Sequence, residues 1–198
     1  MPSWGATDAD ESKPKYLTDA EKKLVFANAS GWVLEAGSES SRFTGNDNAD
    51  ADPEILVAIG DLSTSIGAAD ITEVEMITTT ADKSEGFTLS VRVRYNELVT
   101  VTGNPTLAVT NGNQGSGSGR GPHTLVYASG SGTTKLVFSL AIAAANAATN
   151  AGDILSIGAQ SIALAGGTIK DTEDGTTAAS VVISSALGTA AGTLTVTA

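Results

Sequence analysis

Three acidic residues beside a glycine are the clearest candidates for metal chemistry in this chain. Asp171, Glu173 and Asp174 lie within four residues immediately before Gly175. Carboxylate oxygens at such a spacing can bind Ca²⁺ in a turn. The spacing does not follow the EF-hand loop, however, and acidic residues next to glycine are also common in turns that bind no ion. Calcium is therefore one of two interpretations of this segment, and no other cofactor is predicted.

A glycine-rich segment, residues 111–121, carries Arg120 and is closely followed by His123, the single histidine of the chain. It lacks the Gly-Lys-Ser/Thr of a phosphate-binding loop, and no helical pattern follows it. We interpret it as a hairpin tip, where Arg120 is a candidate contact residue because loops commonly carry binding. We expect His123 at the surface or at the start of a strand. With one histidine, no cysteine and no nucleophile–base arrangement, we expect no enzymatic activity.

The acidic excess lies in the N-terminal part. The formal net charge is −11; residues 1–85 carry 17 Asp and Glu against 6 Lys and Arg, whereas residues 86–198 carry 5 of each sign. An acidic surface either repels other particles or complements a basic patch on a partner. Nucleic-acid binding is not expected, because phosphate contacts need clustered Lys and Arg. The longest apolar run, residues 136–145, is too short to span a bilayer, and the first residues do not resemble a secretory signal. We therefore expect a protein made in a cytoplasm that binds no membrane.

Periodicity divides the chain into an irregular N-terminal arm, residues 1–70, and a mainly β part, residues 71–198. In the arm, Thr18 and Glu21 fit a capping box for a short helix over Asp19 to Ala27. Short strands follow over Gly31 to Glu35 and over Ile55 to Ile59. The strands predicted beyond the arm are Glu73–Thr79, Phe87–Tyr95, Val99–Thr102, Leu107–Thr110, Thr124–Ala128, Lys135–Ile142, Ile154–Ile157, Ser161–Leu164, Val181–Ser184 and Thr193–Val196. Their spacing favours an antiparallel β-sandwich.

Three motifs in the β part carry a resemblance to a known family. Val99 to Leu107 contains V-T-G-N-P-T-L, Tyr127 to Phe138 reads Y-A-S-G-S-G-T-T-K-L-V-F, and Ile162 to Gly175 contains G-G-T-I-K-D. Residues 72–198 thereby resemble the immunoglobulin-like repeats of large bacterial surface proteins, sometimes called swimming-motility-protein-like Ig domains. The resemblance implies an Ig-like β-sandwich. The sequence departs from the family in its longer glycine-rich tip and in the turn at Asp171, where the family has D-x-A-G-N.

The arm resembles a different group of proteins. Trp4-Gly-Ala-Thr-Asp8, Glu11 to Glu21, Phe26 and Gly31-Trp-Val33 are similar to the opening of virion structural proteins of contractile-tailed phages that infect marine cyanobacteria. An Ig-like domain joined to such a segment is similar to head decoration proteins, which bind the outside of an assembled capsid. The resemblance implies a virion location on the capsid surface and the major capsid protein as partner.

Five apolar residues of the arm are candidate partner-binding residues: Trp4, Tyr16, Leu17, Phe26 and Trp32. Either they pack on the chain's own β part, or some of them dock into a neighbouring protein. Five side chains cannot offset the backbone entropy of some fifty ordered residues, about 1–2 kcal/mol each. An ordered arm therefore needs backbone pairing or an external surface, and we expect a partner. The lysines expected to face acidic groups on that partner are Lys13, Lys15, Lys22 and Lys23.

Three hypotheses for function follow. In the first, the chain is a capsid decoration protein whose many copies bind the shell and contact neighbouring copies. In the second, it is a neck, tail or fibre protein whose sandwich binds a cell-surface glycan. In the third, it is an adhesin-type module of a bacterial surface protein.

Overall fold

The protein is mainly β. The computed structural model describes residues 13–112 and 122–198, and within these it has fourteen strands and four short helices. Twelve strands belong to one large mixed sheet and two form a small separate sheet. No helix in the described ranges has the length and apolar character needed to cross a bilayer. The mainly β class is confirmed, and the helices are few and short, as the sequence indicates.

The elements have the following bounds. The strands are β1 Val25–Asn28, β2 Gly31–Leu34, β3 Glu54–Ala58, β4 Ile71–Met76, β5 Ala81–Asp82, β6 Gly86–Thr102, β7 Thr106–Gly112, β8 His123–Ser129, β9 Thr133–Ala143, β10 Ile154–Ser156, β11 Gln160–Ser161, β12 Thr168–Asp171, β13 Val182–Ile183 and β14 Thr193–Thr197. The helices are α1 Asp19–Lys22, α2 Ser41–Thr44, α3 Leu62–Ser65 and α4 Ser185–Ala190. We call residues 13–66 the N-terminal region and the described residues from 67 onward the body.

Strand β6 organises the large sheet. The order along the sheet is β3-β2-β1-β6-β9-β8-β7-β10-β14-β5, and both β4 and β12 also pair with β6. The sequence predicts two strands here, but the structure has one strand of 17 residues. Its register with β9 shifts between Arg94 and Val99. Strand β4 pairs with β6 up to Tyr95 and β12 pairs with it from Val99, while Ala27 of β1 bridges Glu97 between these two positions.

The body is built around one apolar core. The predicted alternation of β6 is confirmed, because Leu89, Val91 and Val93 are fully buried and Tyr95 is 2% exposed. The partner strands contribute Val109, Leu125, Leu136, Phe138 and Leu155, among others. Burial of such side chains stabilises a fold by about 1.5–3 kcal/mol each relative to exposure. The body therefore contains the main hydrophobic core.

The predicted helix over Asp19 to Ala27 is correct at its start and wrong at its end. The capping box forms, since Glu21 N–H donates to Thr18 Oγ1 and the Thr18 N–H donates to Glu21. The helix ends at Lys22, and Val25–Asn28 is a strand instead. The β-branched and aromatic residues Val25 and Phe26 favour a strand when a partner is present. That partner is β2, which pairs with β1 in an antiparallel hairpin.

The N-terminal region is ordered on this chain itself. Strand β1 pairs with β2, β2 pairs with β3, and Ala27 of β1 bridges Glu97 of β6 in a parallel arrangement. A small second core lies between these elements, formed by Leu24, Val25, Ala27, Trp32, Leu34 and Leu62. Residues 13–66 are therefore ordered by backbone pairing within the chain, whereas the sequence led us to expect that an external partner orders them.

Other differences concern short or parallel elements. The expectation of a wholly antiparallel sheet is wrong at two pairs, β1 with β6 and β14 with β5. Strands β5 and β12, and helices α2, α3 and α4, have no counterpart in the sequence prediction. Each is at most six residues long, and all except α2 pair or pack with residues of other elements.

Candidate functional site

The structure places the candidate anchor residues mostly inside the molecule. Trp32 is fully buried and Phe26 is 6% exposed, so neither side chain is presented to a partner. Leu17 packs against the N-terminal core that contains Trp32. Only Tyr16 is well exposed, at 69%. The two remaining candidates, Trp4 and Arg120, lie outside the described residues, as does most of the glycine-rich segment.

The acidic triplet forms a turn. Asp171 Oδ1 accepts the N–H of Glu173 at 2.8 Å. Asp174 Oδ1 accepts the N–H groups of Thr176 and Thr177, at 2.7 and 2.8 Å, and a hydrogen bond from the Thr177 hydroxyl holds the pKa of Asp174 below its usual range. Within residues 13–112 and 122–198, no group of three or more His, Asp or Glu side chains is arranged to hold a metal ion. These contacts agree with the interpretation of a plain turn.

His123 begins β8 and is buried. Its Nε2 lies 3.2 Å from the Thr149 hydroxyl, and burial lowers the pKa of the imidazole although Asp153 opposes that change. Asp153 is fully buried and accepts the side-chain amide of Asn111 and the N–H of Asn150. His123 thus connects the start of β8 to Thr149, and Asp153 connects the end of β7 to the segment that precedes β10.

The lysines of the N-terminal region also bind within the chain. Lys13 is buried and donates to the Lys22 carbonyl oxygen at 2.7 Å. Lys22 lies 3.7 Å from Asp19, and Lys23 pairs with Glu73 of the body at 2.5 Å. Lys15 is exposed. Three of the four lysines thus have contacts within the chain, and the role of the lysines toward another protein stays a prediction.

An ion-pair network joins the N-terminal region to the body. Its central residue is Arg94 on β6, whose side chain is 5% exposed. The guanidinium binds Glu39, lies 3.4 Å from Glu35, and places Nε 3.1 Å from Glu73 as an ion pair without hydrogen-bond alignment. Arg92 and Lys135 extend the network. We call Glu35, Glu39, Glu73, Glu75, Arg92, Arg94 and Lys135 the ion-pair network.

The two carboxylates that the N-terminal region contributes differ in their ionisation. Burial opposes ionisation of Glu39, but hydrogen bonds from Arg94 and Lys135 outweigh it and hold the pKa of Glu39 well below its usual range. Burial dominates at Glu35 and raises its pKa, although Lys135 lies 2.7 Å away. An arginine with three carboxylate neighbours is thus the main polar link between the two parts.

Three residues further along β6, Glu97 has the opposite environment. It is fully buried, and neither carboxylate oxygen has a hydrogen-bond partner among the described residues. Burial raises the pKa of Glu97 to about 9, and the negative charges of Asp171, Asp70, Asp174 and Glu173 add to the effect. Glu97 is therefore a neutral acid at pH 7. It is also the residue of β6 that bridges Ala27 of β1.

Strand β3 is the most exposed element of the N-terminal region. It is at one end of the large sheet and pairs only with β2 within the described chain. Ile55 is 55% exposed, one of the most exposed large apolar side chains among the described residues. Asp47, Asp50, Asp52 and Glu54, which precede or begin the strand, are all exposed. An apolar edge strand preceded by negative charge is the arrangement best suited to binding a partner.

Comparison with known proteins gives no relative. No protein-family model matches this chain, and no curated protein or solved structure matches it significantly. The resemblances stated above therefore stay predictions. Arg94, Glu97 and the β3 edge were not found from the sequence, although a Glu within the apolar strand β6 and four acids before Ile55 are visible there.

Proposed function

We propose that this chain is a non-catalytic virion structural protein that decorates the outer surface of a phage head. In this proposal the body is an Ig-like β-sandwich that projects from the shell, and the N-terminal region contacts the major capsid protein. The motif resemblances of both parts support it, as does the mainly β fold. Copies bound at many equivalent sites gain avidity from one another.

The β3 edge is the observation that carries the proposal. Strand β1 pairs with the body, and β3, at the end of the sheet, has no second strand partner among residues 13–112 and 122–198. A region that connects a projecting domain to a shell needs one face attached to that domain and another face that binds the shell. In this proposal the N-terminal region binds through a folded surface, because residues 13–66 pair and pack within the chain.

Particle composition tests this proposal. We expect hundreds of copies of the chain per particle, located on the head in an image reconstruction, and sedimentation of the purified full chain with heads that lack it. A few to dozens of copies at the neck or tail would contradict decoration and favour the second hypothesis. Binding of the full chain in a glycan screen, without binding to heads, would favour a glycan-binding or adhesin module.

A further inference from the structure

The outer side of β3 has backbone groups directed away from its own sheet. Two backbone groups of this segment face β2. The Ile59 N–H donates to the Ser30 carbonyl oxygen at 3.0 Å, and a Cβ added to Gly31 of β2 would lie 2.0 Å from the Val57 carbonyl oxygen. Backbone groups alternate between the two sides of an antiparallel strand. The intervening residue, Ala58, therefore directs its N–H and C=O to the uncovered side.

The strand is only five residues long, follows Pro53 and has a register shift against β2, which are features that limit pairing at an exposed edge, but it has no lysine and no charged residue between its ends. Edge strands are usually protected by inward charges, lysines, internal proline or bulges. Between its ends β3 reads Ile-Leu-Val, with Pro53 before it. The register shift against β2 lies at the Ile55 end and leaves Val57 and Ala58 in regular pairing. The Ala58 end can therefore accept another strand.

The charges around this edge select the partner. Asp47, Asp50, Asp52 and Glu54 form no ion pair with any other described residue. A second copy of the chain would bring a further net charge of −11 to the contact, and like charges oppose association. A basic segment would gain from the same charges.

We propose that β3 binds an extended segment of another protein by strand addition, and that this segment has apolar residues followed by Lys or Arg. In an antiparallel arrangement, the residues after the added strand lie beside residues 47–54, which carry the acidic charge. Backbone hydrogen bonds to Ala58 supply affinity, contact with Ile55 supplies apolar burial, and the basic residues supply specificity. The inference names the chemistry of the contact and does not require the partner to be a capsid protein.

Fluorescent peptides test it directly with the full chain. The probe is Thr-Val-Ile-Val-Thr followed by four lysines, and the comparison peptides have four glutamates at the same place or four lysines in front. We expect anisotropy to show binding of the first peptide, affinity at least about tenfold lower for the glutamate peptide, and weakening with salt. Equal binding of the lysine and glutamate peptides, or no binding at millimolar concentration, would overturn the inference.

Matched variants locate the contact. Ile55→Lys should lower affinity for the lysine peptide by about tenfold or more. Val182→Lys, at a side chain that is 60% exposed on β13, should leave it unchanged. Asp50→Asn with Asp52→Asn should weaken binding several-fold, whereas Glu85→Gln with Glu173→Gln, at other exposed acids, should not. Equal losses from test and control variants would contradict a site at β3.

The capsid experiment and the peptide experiment test the two proposals independently. Heads that bind the full chain equally well with and without Ile55→Lys would leave decoration standing and overturn strand addition at β3 as its contact. Peptide binding at β3 together with absence from the head would keep the strand-addition site and overturn decoration. Melting curves of each variant show whether the fold is retained.

Discussion

The N-terminal region and the body are stabilised by different interactions. Of the residues that the structure describes, 22 form the buried core of the body and six form the N-terminal core. What joins the N-terminal region to the body is largely polar, with Arg94 and its carboxylates on one part of β6 and the bridge beside Glu97 on another. The attachment of the N-terminal region should therefore respond strongly to substitution of the charged residues at these two places and to pH.

The largest effect of a substitution is expected from Arg94→Met. The substitution removes the buried cation that contacts Glu35, Glu39 and Glu73. Lys135 stays beside Glu35 and Glu39 and Lys23 beside Glu73, so the expected loss is at the lower end of the range of about 3–5 kcal/mol for breaking a buried pair. Urea unfolding should show this loss. Lys22→Met, which removes an exposed pair with Asp19, should change stability by about 0.5 kcal/mol or less. Similar losses from both variants would remove the distinction between buried and exposed pairs.

Because Glu97 is buried, we expect the free energy of unfolding to depend on pH. Its pKa is about 9 in the folded protein and returns to its ordinary value near 4.5 on unfolding, so the folded state binds the proton more tightly. Its contribution is fully present below about pH 4.5 and is lost as pH rises toward 9. Between pH 5 and 8 we expect the free energy of unfolding to decrease by about 1.4 kcal/mol per pH unit, about 4 kcal/mol in all.

Glu97→Gln is the matched variant for that effect. It keeps the shape of the neutral acid and cannot ionise, so denaturation of this variant should depend less on pH than that of the parent protein. Urea titrations at several pH values measure the difference. Parallel curves for the two proteins would show that Glu97 does not cause the dependence.

Gly31→Ala should have an intermediate effect. Gly31 has a φ of 134°, and an added Cβ would lie 2.0 Å from the Val57 carbonyl oxygen. A strained backbone of this kind costs about 1–3 kcal/mol, and β3 should separate from β2. Loss of peptide binding should accompany loss of stability. Gly60→Ala, where the added Cβ meets no atom within 4 Å, is the control. Unchanged peptide binding in Gly31→Ala would place the site elsewhere.

The smallest effect on stability is expected from Ile55→Lys. Ile55 is largely exposed, and surface substitutions usually change stability by about 0.5 kcal/mol or less. Thermal unfolding should therefore show little change although peptide affinity falls. A large decrease in melting temperature would mean that Ile55 contributes to packing and not to binding.

Local signals in the sequence predicted local structure. The capping box at Thr18 and the alternation along β6 are both present, because each depends on neighbours within a few residues. Strand β1 was predicted as helix because its conformation depends on pairing with β2, and β12 was not predicted because it is paired with residues about seventy positions away. The burial of Trp32, Arg94 and Glu97 depends on tertiary packing, which the pattern of residue types does not contain.

Hydrogen exchange of the full chain, free and with the lysine peptide, tests the central claim most directly. The account predicts that β1 and β2 amides are protected in the free protein, that the Ala58 amide exchanges rapidly, and that the peptide protects Ala58 without changing β1 and β2. Rapid exchange throughout β1 and β2 in the free protein, or binding that leaves Ala58 unprotected, would contradict it.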